Sequence, residues 1–248
     1  MTDTIANHRT IRKYKPELLS NELMNEILNA GCRASTTGNM QVYSIVNTTS
    51  VELKKLLAPM HFNQPMVSNA PHVLTFCADF NRFNKWCLVN NAEPGYDNFL
   101  SFMTGAIDAL LVAQNVCIAA ESHGLGICYL GTTIYNADKI IELLNLPKGV
   151  VPITTLTLGW PNEKPIQVDR LPLEAILHHE TYKDYTEQQI KRIYAEKEGL
   201  SENIKFVEDN AKESLAQVFT DVRYKKADNE FFSQKLMEVL KKQGFLNT

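Results

Sequence analysis

The N-terminal segment from His8 to Arg12 concentrates groups that bind anions. Two guanidinium groups, an imidazole and a hydroxyl lie within the five residues His8-Arg9-Thr10-Ile11-Arg12, ahead of the first predicted helix. Arginine binds phosphate through paired donors and stays charged at any working pH. In an extended segment, Arg9 and Arg12 would reach different parts of one anionic ligand. A solvated basic arm explains the same residues, and without other information it is the commoner outcome.

Two later segments carry polar groups of the same kind. Residues 35–39, Ser-Thr-Thr-Gly-Asn, supply hydroxyls and backbone amides that would hydrogen-bond the rim of a polar ligand. A simple turn explains this segment equally well. Lys164 and Arg170 lie in a turn-rich stretch and would add positive charge to a phosphate site.

A glycine-containing stretch from residue 124 to residue 132 would suit a flat ligand. Glycines at 124 and 126 would let the backbone approach a ring, and Leu125 between them would cover its face. Gly131 comes five residues later and the stretch follows a helix, so it is not a Gly-x-Gly-x-x-Gly fingerprint. The sequence therefore disfavours a Rossmann site.

Hydrolytic and metal chemistry find no support in the sequence. No Ser/His/Asp or Cys/His pairing stands out, and the six histidines lack zinc-like spacing. The five cysteines include no Cys-x-x-Cys pair and mostly have apolar neighbours. We expect no metal, and reduced, buried thiols in a cytoplasmic protein. A single reactive thiol is the alternative.

Bulk composition excludes several classes of partner. The chain has 248 residues, of which 44% are hydrophobic and 21% charged, with a formal net charge of −3. Nucleic-acid binding would need a net basic face, so no nucleic-acid partner is expected. We expect no membrane span, because polar residues interrupt the apolar runs before they reach about 18 residues. The polar, acidic N-terminus does not resemble a signal peptide.

Apolar patterns predict about four strands among many helices, an α+β fold. Strands are predicted over residues 41–46, 71–78, 127–131 and 150–161, and helices over residues 20–34, 51–59, 99–123 and 136–146. The helix over 99–123 is rich in small residues, which predicts a buried central helix or a packing face for another subunit. Residues 81–97 have a mixed pattern and are predicted to be a mobile region or lid. Residues 184–248 are predicted to be a helical extension of a core over residues 1–183, packed on that core or on a partner subunit.

Together, these segments resemble the nitroreductase and flavin reductase family. The resemblance covers about residues 5–182 and is greatest to the oxygen-insensitive, NADPH-preferring subgroup. The matching segments are residues 8–12, 35–41, 113–126, 129–131, 158–161 and 170–172. Each motif is loose by itself, but their order and spacing are specific.

The resemblance implies an α+β homodimer that binds FMN at the subunit interface. Its sheet would be central, mostly antiparallel and flanked by helices, with the long buried helix at the dimer core. Each FMN site would take some residues from the partner chain, and no protein side chain would be catalytic. The residues implied to bind the cofactor are His8, Arg9, Thr10, Arg12, Thr36, Gln41, Gln64, Tyr129, Leu130, Gly131, Thr132, Lys164 and Arg170.

The implied reaction is ping-pong hydride transfer through FMN, from NADPH or NADH to a nitroaromatic, a quinone or free flavin. Val168 stands where many relatives carry a lysine, so Lys164 would take that role. Residues 196–210 hold no arginine pair for the NADPH 2′-phosphate, which leaves the choice of nicotinamide open. A dehalogenase or synthase on the same flavin scaffold, and a non-catalytic flavin carrier, are the alternatives.

Overall fold

One antiparallel sheet holds the core of the protein. In the computed structural model, which describes residues 2–247, four strands pair in the order β1-β2-β4-β3, and every neighbouring pair is antiparallel. The strands are β1 (Tyr43–Thr48), β2 (His72–Asp79), β3 (Gly126–Leu130) and β4 (Val150–Gly159). All eight residues of β2 are buried, which confirms the central position predicted from its apolar run. The prediction of an α+β fold with four strands is confirmed.

The part of the chain that the structure describes contains eleven α-helices. They are α1 (Thr2–Ala6), α2 (Asn21–Gly31), α3 (Val51–Leu57), α4 (Pro65–Asn69), α5 (Asn81–Val89), α6 (Phe99–Ser122), α7 (Ala137–Leu143), α8 (Glu187–Gly199), α9 (Ser201–Asp209), α10 (Leu215–Val218) and α11 (Lys226–Gln243). Short 3-10 turns include Thr37–Asn39 and Ala58–His61. Helix α2 begins as predicted, because the Leu23 amide donates to the Ser20 hydroxyl at 3.2 Å and caps the helix.

Helix α6 is two-sided. One face packs on the sheet, where a Cβ on Gly105 would lie 2.9 Å from the Cβ of Ala78, so only glycine permits this approach. Large side chains of the same helix stay between 39% and 76% exposed: Phe99, Leu100, Met103, Ile107, Leu110 and Leu111. By length and composition this helix would be able to cross a membrane, but half of its most apolar stretch is buried within the fold. Within one chain the helix is therefore buried on one face, and its exposed apolar face is what the predicted packing face for another subunit would need.

The region predicted as a mixed, mobile segment contains regular structure. Residues 81–89 form helix α5, whose Cys87 is buried. The ring of Phe83 contacts the rings of Trp86 and Tyr96 at centroid distances of 5.3 and 5.4 Å. Aromatic packing organises this stretch where the apolar period was weak.

The chain divides into two compact units. The first comprises the described residues up to Gln167 and from Gln234 onward, and the second is Val168–Ser233. Within the first unit, Phe245 is buried beside Phe80, with ring centroids 6.3 Å apart. The end of the chain therefore contributes to the core of the first unit. The division predicted between residues 183 and 184 stays a prediction.

Candidate functional site

The N-terminal segment lies along the free edge of the sheet. Thr10 forms a parallel bridge with Ile127 of β3, and the Ile11 amide donates to the Ile127 carbonyl at 2.9 Å. Tyr14 anchors the far end, since its hydroxyl donates to the Ile11 carbonyl at 2.5 Å and lies 2.8 Å from the Thr157 hydroxyl. Burial raises the pKa of the Tyr14 phenol, so it stays a neutral donor. Residues 8–12 are thus a fixed neighbour of β3.

The close approach of the N-terminal segment to β3 requires a glycine at position 126. A Cβ at that position would lie 2.6 Å from the Cβ of Ile11, closer than real Cβ contacts allow. Leu125 is only 4% exposed and belongs to the hydrophobic core. The predicted roles of Leu125 and Gly126 at a ring are therefore wrong: Gly126 faces the protein's own N-terminal segment, and Leu125 is buried in the core.

Three basic side chains at this edge form what we call the cationic end: Arg9, Arg12 and Lys164. Arg9 and Lys164 line one cavity of about 250 Å³. The backbone amides of Arg12 and Lys13 donate to the Glu163 carboxylate at 2.6 and 3.0 Å. Glu163 therefore holds this part of the chain through main-chain bonds, which leaves the exposed Arg12 side chain available to a ligand.

His8, predicted to bind the same ligand, has a protein partner. Its Nδ1 lies 2.6 Å from Oε1 of Glu121 at the C-terminal end of α6. Glu121 also lines the cavity that contains Arg9 and Lys164. Sequence reasoning missed both Glu121 and Glu163, because each contact joins residues more than a hundred positions apart.

A second cluster, which we call the neutral end, lies where the chain leaves β3 and consists of His61, Gln64 and Thr132. Nδ1 of His61 lies 2.9 Å from the Thr132 hydroxyl oxygen, and Nε2 of Gln64 lies 3.5 Å from it. Gly131, next to Thr132, is exposed, and a Cβ built on it would meet no atom within 4 Å. Sequence reasoning named Gln64 and Thr132 but missed His61, which lies three residues before Gln64.

Tyr129 and Leu130 lead into the neutral end from β3. The Tyr129 hydroxyl donates to Oε1 of Gln114 at 3.3 Å, and burial raises the pKa of this phenol. Leu130 is only 1% exposed and packs in the hydrophobic core. Its side chain is therefore not available to contact a ligand. A ligand contact at this position would have to come from the backbone.

Thr36 and Gln41 lie elsewhere on the first unit. They flank the turn before β1, and β1 and β3 are opposite edges of the sheet. The turn is fixed by Asp108, whose carboxylate accepts from the Thr37 amide at 3.1 Å. The side-chain amide of Gln41 donates to Asn39 at 3.3 Å. One chain thus brings the cationic and neutral ends to one sheet edge but places Thr36 and Gln41 at the other.

Arg170 belongs to the second unit. Its Nη1 donates to the Asp169 carbonyl at 2.8 Å, and the Asp169 carboxylate pairs with Lys197 at 2.8 Å. Arg170 lines a mainly apolar cavity of about 650 Å³ within that unit, together with Tyr194 and Phe219. Its predicted phosphate contact stays a prediction.

The described residues contain no group of three or more His, Cys, Asp or Glu side chains arranged to hold a metal ion. All five cysteines are free thiols, and four of them are buried. Cys32 is exposed, which corrects the expectation that every thiol is buried.

The fold and the site define an α+β protein with an arginine-containing segment along one sheet edge. The Nitroreductase family model matches residues 5–160, more than half of the chain. The chain is 38% identical over 182 residues to "FMN reductase (NADPH)" of Bacillus subtilis (strain 168), covering 73% of each chain. It is 32% identical to "FMN reductase [NAD(P)H]" of the same organism, covering 98% of this chain and 96% of the relative. A crystal structure from Bacteroides fragilis NCTC 9343 is 58% identical with a TM-score of 0.97, covering 99% of this chain and 100% of that one. This chain belongs to the nitroreductase family.

Proposed function

We propose that this protein is an FMN-dependent NAD(P)H oxidoreductase that reduces nitroaromatics, quinones or free flavin. The observation that carries the proposal is the parallel bridge between Thr10 and Ile127. It brings the cationic end beside the strand that leads into the neutral end. A molecule with a phosphate at one end and a flat, hydrogen-bonding ring at the other matches that order of groups.

The residues present fit FMN. Arg9, Arg12 and Lys164 supply charge for the phosphate, and Gln64 and Thr132 supply polar groups for the ring edge. The open space in front of Gly131 leaves room for a ring to lie against the backbone. Arg170, from the second unit, is proposed to join the phosphate contacts. His8 and Thr10 are proposed to support the arginines, and Tyr129 and Leu130 to contribute backbone.

The protein's own part in the reaction would be placement rather than proton transfer. When bound, FMN supplies hydride transfer between a nicotinamide and an acceptor. The chain would hold the phosphate at the cationic end and hydrogen-bond the ring edge at the neutral end. This division of labour requires neither a catalytic triad nor a metal ion. The donor is NADPH or NADH, since the relatives' names include both "NADPH" and "NAD(P)H".

We propose further that the protein acts as a homodimer in the cytoplasm. The exposed apolar side chains of α6 would be costly to leave in water and suit a second copy of the chain. A partner would also supply Thr36 and Gln41, which lie at the opposite sheet edge from the cationic end. The four buried free thiols suit a reducing compartment.

The test is the visible spectrum of the purified protein before and after anaerobic addition of NADH or NADPH. We expect a yellow protein that bleaches with at least one nicotinamide and recovers with a quinone or nitroarene. A protein that binds no FMN would contradict the proposal. Flavin absorbance without bleaching would identify a carrier. Bleaching without turnover of these acceptors would indicate a dehalogenase or a synthase.

A further inference from the structure

The neutral end contains a buried histidine whose ring is only half satisfied. His61 ends the Ala58–His61 turn and is 0% exposed. Its Nδ1 lies 2.9 Å from the Thr132 hydroxyl oxygen, while its Nε2 is buried with no hydrogen-bond partner among the described residues. A buried imidazole with one unpaired nitrogen costs folding free energy, so its retention calls for an explanation.

The surroundings keep this ring fixed. The backbone amide of Gln64 donates to the His61 backbone carbonyl at 3.2 Å. The side chain of Asn136 donates to the Met60 carbonyl at 2.8 Å, and its Oδ1 accepts from Lys235 at 3.1 Å. These bonds tie the turn that carries His61 to the segment that follows Thr132. The distance between His61 and Thr132 is therefore set by several bonds besides their own.

Burial lowers the His61 pKa to about 4, so the ring is neutral at physiological pH and carries one proton. Two tautomers are then available. With the proton on Nε2, a buried N–H would have no acceptor, an arrangement that proteins rarely tolerate. With the proton on Nδ1, the ring donates to the Thr132 hydroxyl. The unpaired group is then the lone pair of Nε2, which costs less free energy than an unpaired N–H. The structure favours the second tautomer.

This tautomer dictates what the Thr132 hydroxyl can do. Its oxygen has two lone pairs, and His61 Nδ1 and Gln64 Nε2 both approach that oxygen as donors, at 2.9 and 3.5 Å. The hydroxyl hydrogen then has no acceptor among the described residues and must find one in solvent or on a ligand. Thr132 directly follows Gly131, in front of which there is open space.

We propose that His61 is a positioning residue that fixes the Thr132 hydroxyl as a hydrogen-bond donor to the bound flavin. This inference rests on the proposed function, since it assumes that FMN occupies the site. A donor at the ring edge favours the reduced form, which carries more negative charge, over the oxidised form. His61 thereby acts on the cofactor without touching it.

Two substitutions of His61 distinguish a positioning role for its Nδ1 from a role in filling space. In His61→Asn the side-chain amide lies near the place of Nδ1, and in His61→Gln it lies near the place of Nε2. Thr132→Val removes the hydroxyl and keeps the shape. We expect Thr132→Val and His61→Gln to favour reduced FMN about tenfold less than the wild type does, a fall of about 30 mV in the two-electron midpoint potential. His61→Asn should stay within about twofold of wild type.

The measurements are FMN affinity, from quenching of flavin fluorescence, and the midpoint potential of each holoprotein. Nitrogen NMR of the histidine-labelled wild-type protein without FMN gives the His61 tautomer directly. Equal behaviour of the Asn and Gln variants, an unchanged potential in Thr132→Val, or a proton found on Nε2 would each overturn the inference. If the variants fail to fold, the wild-type tautomer still decides. A wild type that binds no FMN would refute the proposed function, whereas FMN binding with a wrong tautomer would refute only this inference.

Discussion

The two ends of the proposed cofactor site are built on opposite principles. At the cationic end, Arg9, Arg12 and Lys164 carry the charge, and the chain that presents Arg12 is held through main-chain bonds to Glu163 and Ile127. At the neutral end, the side chains hold one another, and His61 is fully buried. Charge acts over several ångströms and tolerates movement, whereas a neutral hydrogen bond needs an exact distance. We infer that the cationic end sets how tightly the cofactor binds, and the neutral end sets its reduction potential.

Arg12→Ala should give the largest effect. Losing a charge-assisted contact to a phosphate costs up to about 3 kcal/mol, which corresponds to roughly 100-fold weaker FMN binding. Protein purified without added FMN should be colourless, while its midpoint potential after reconstitution changes little. Arg192→Ala is the matched control, because that arginine is exposed and pairs with Glu174 at 3.3 Å in the second unit. A yellow Arg12→Ala protein with full occupancy would contradict the role of the cationic end.

Acid should weaken the fold through the neutral end. The pKa of His61 is about 4 in the folded protein and about 6.5 in the unfolded chain, because burial disfavours the charged ring. Between these values the unfolded chain binds a proton that the folded chain does not. Stability present above pH 6.5 is therefore lost as pH falls toward 4, by about 2 kcal/mol between pH 7 and pH 5.

Urea unfolding of wild type and His61→Asn at pH 7 and pH 5 checks this acid effect. His72, whose pKa burial also lowers to about 4, remains in both proteins. Between pH 7 and pH 5 the variant should therefore still lose stability, but less than the wild type does. Equal losses in the two proteins would show that His61 is not held neutral by burial.

Gly126→Ala should loosen the cationic end from the sheet. The new Cβ would lie 2.6 Å from Ile11, so the N-terminal segment must move, at a cost of about 1 to 2 kcal/mol in unfolding free energy. FMN affinity should fall along with stability, because Arg9 and Arg12 flank Ile11 and would move with it. Gly131→Ala is the matched control for stability, since its Cβ meets no atom within 4 Å. Comparison of the two in urea unfolding checks this, and equal destabilisation would argue against a specific clash.

The sequence predicted the elements better than the contacts between them. The strands and most helices followed from local apolar patterns, including α2 within the helix predicted over residues 20–34. Helix α5 was missed because aromatic packing between Phe83 and Tyr96 organises it. The functions of Leu125 and Gly126 were misassigned because nothing local shows that Ile11 occupies the space in front of Gly126. His61 was missed for the same reason: its partner is 71 residues away.

The smallest effect that we expect is that of salt on flavin affinity, which should distinguish the cationic end from the neutral end. Attraction between exposed arginines and a phosphate is screened as ionic strength rises, whereas a buried neutral hydrogen bond is screened much less. Raising potassium chloride from 0.05 to 0.5 M should weaken FMN binding several-fold. Riboflavin, which lacks the phosphate, should bind more weakly than FMN at low salt but with an affinity that hardly changes. Titration of both flavins by fluorescence quenching measures this. If salt weakens riboflavin binding as much as FMN binding, charge contributes to holding the ring itself, and the division between the two ends fails.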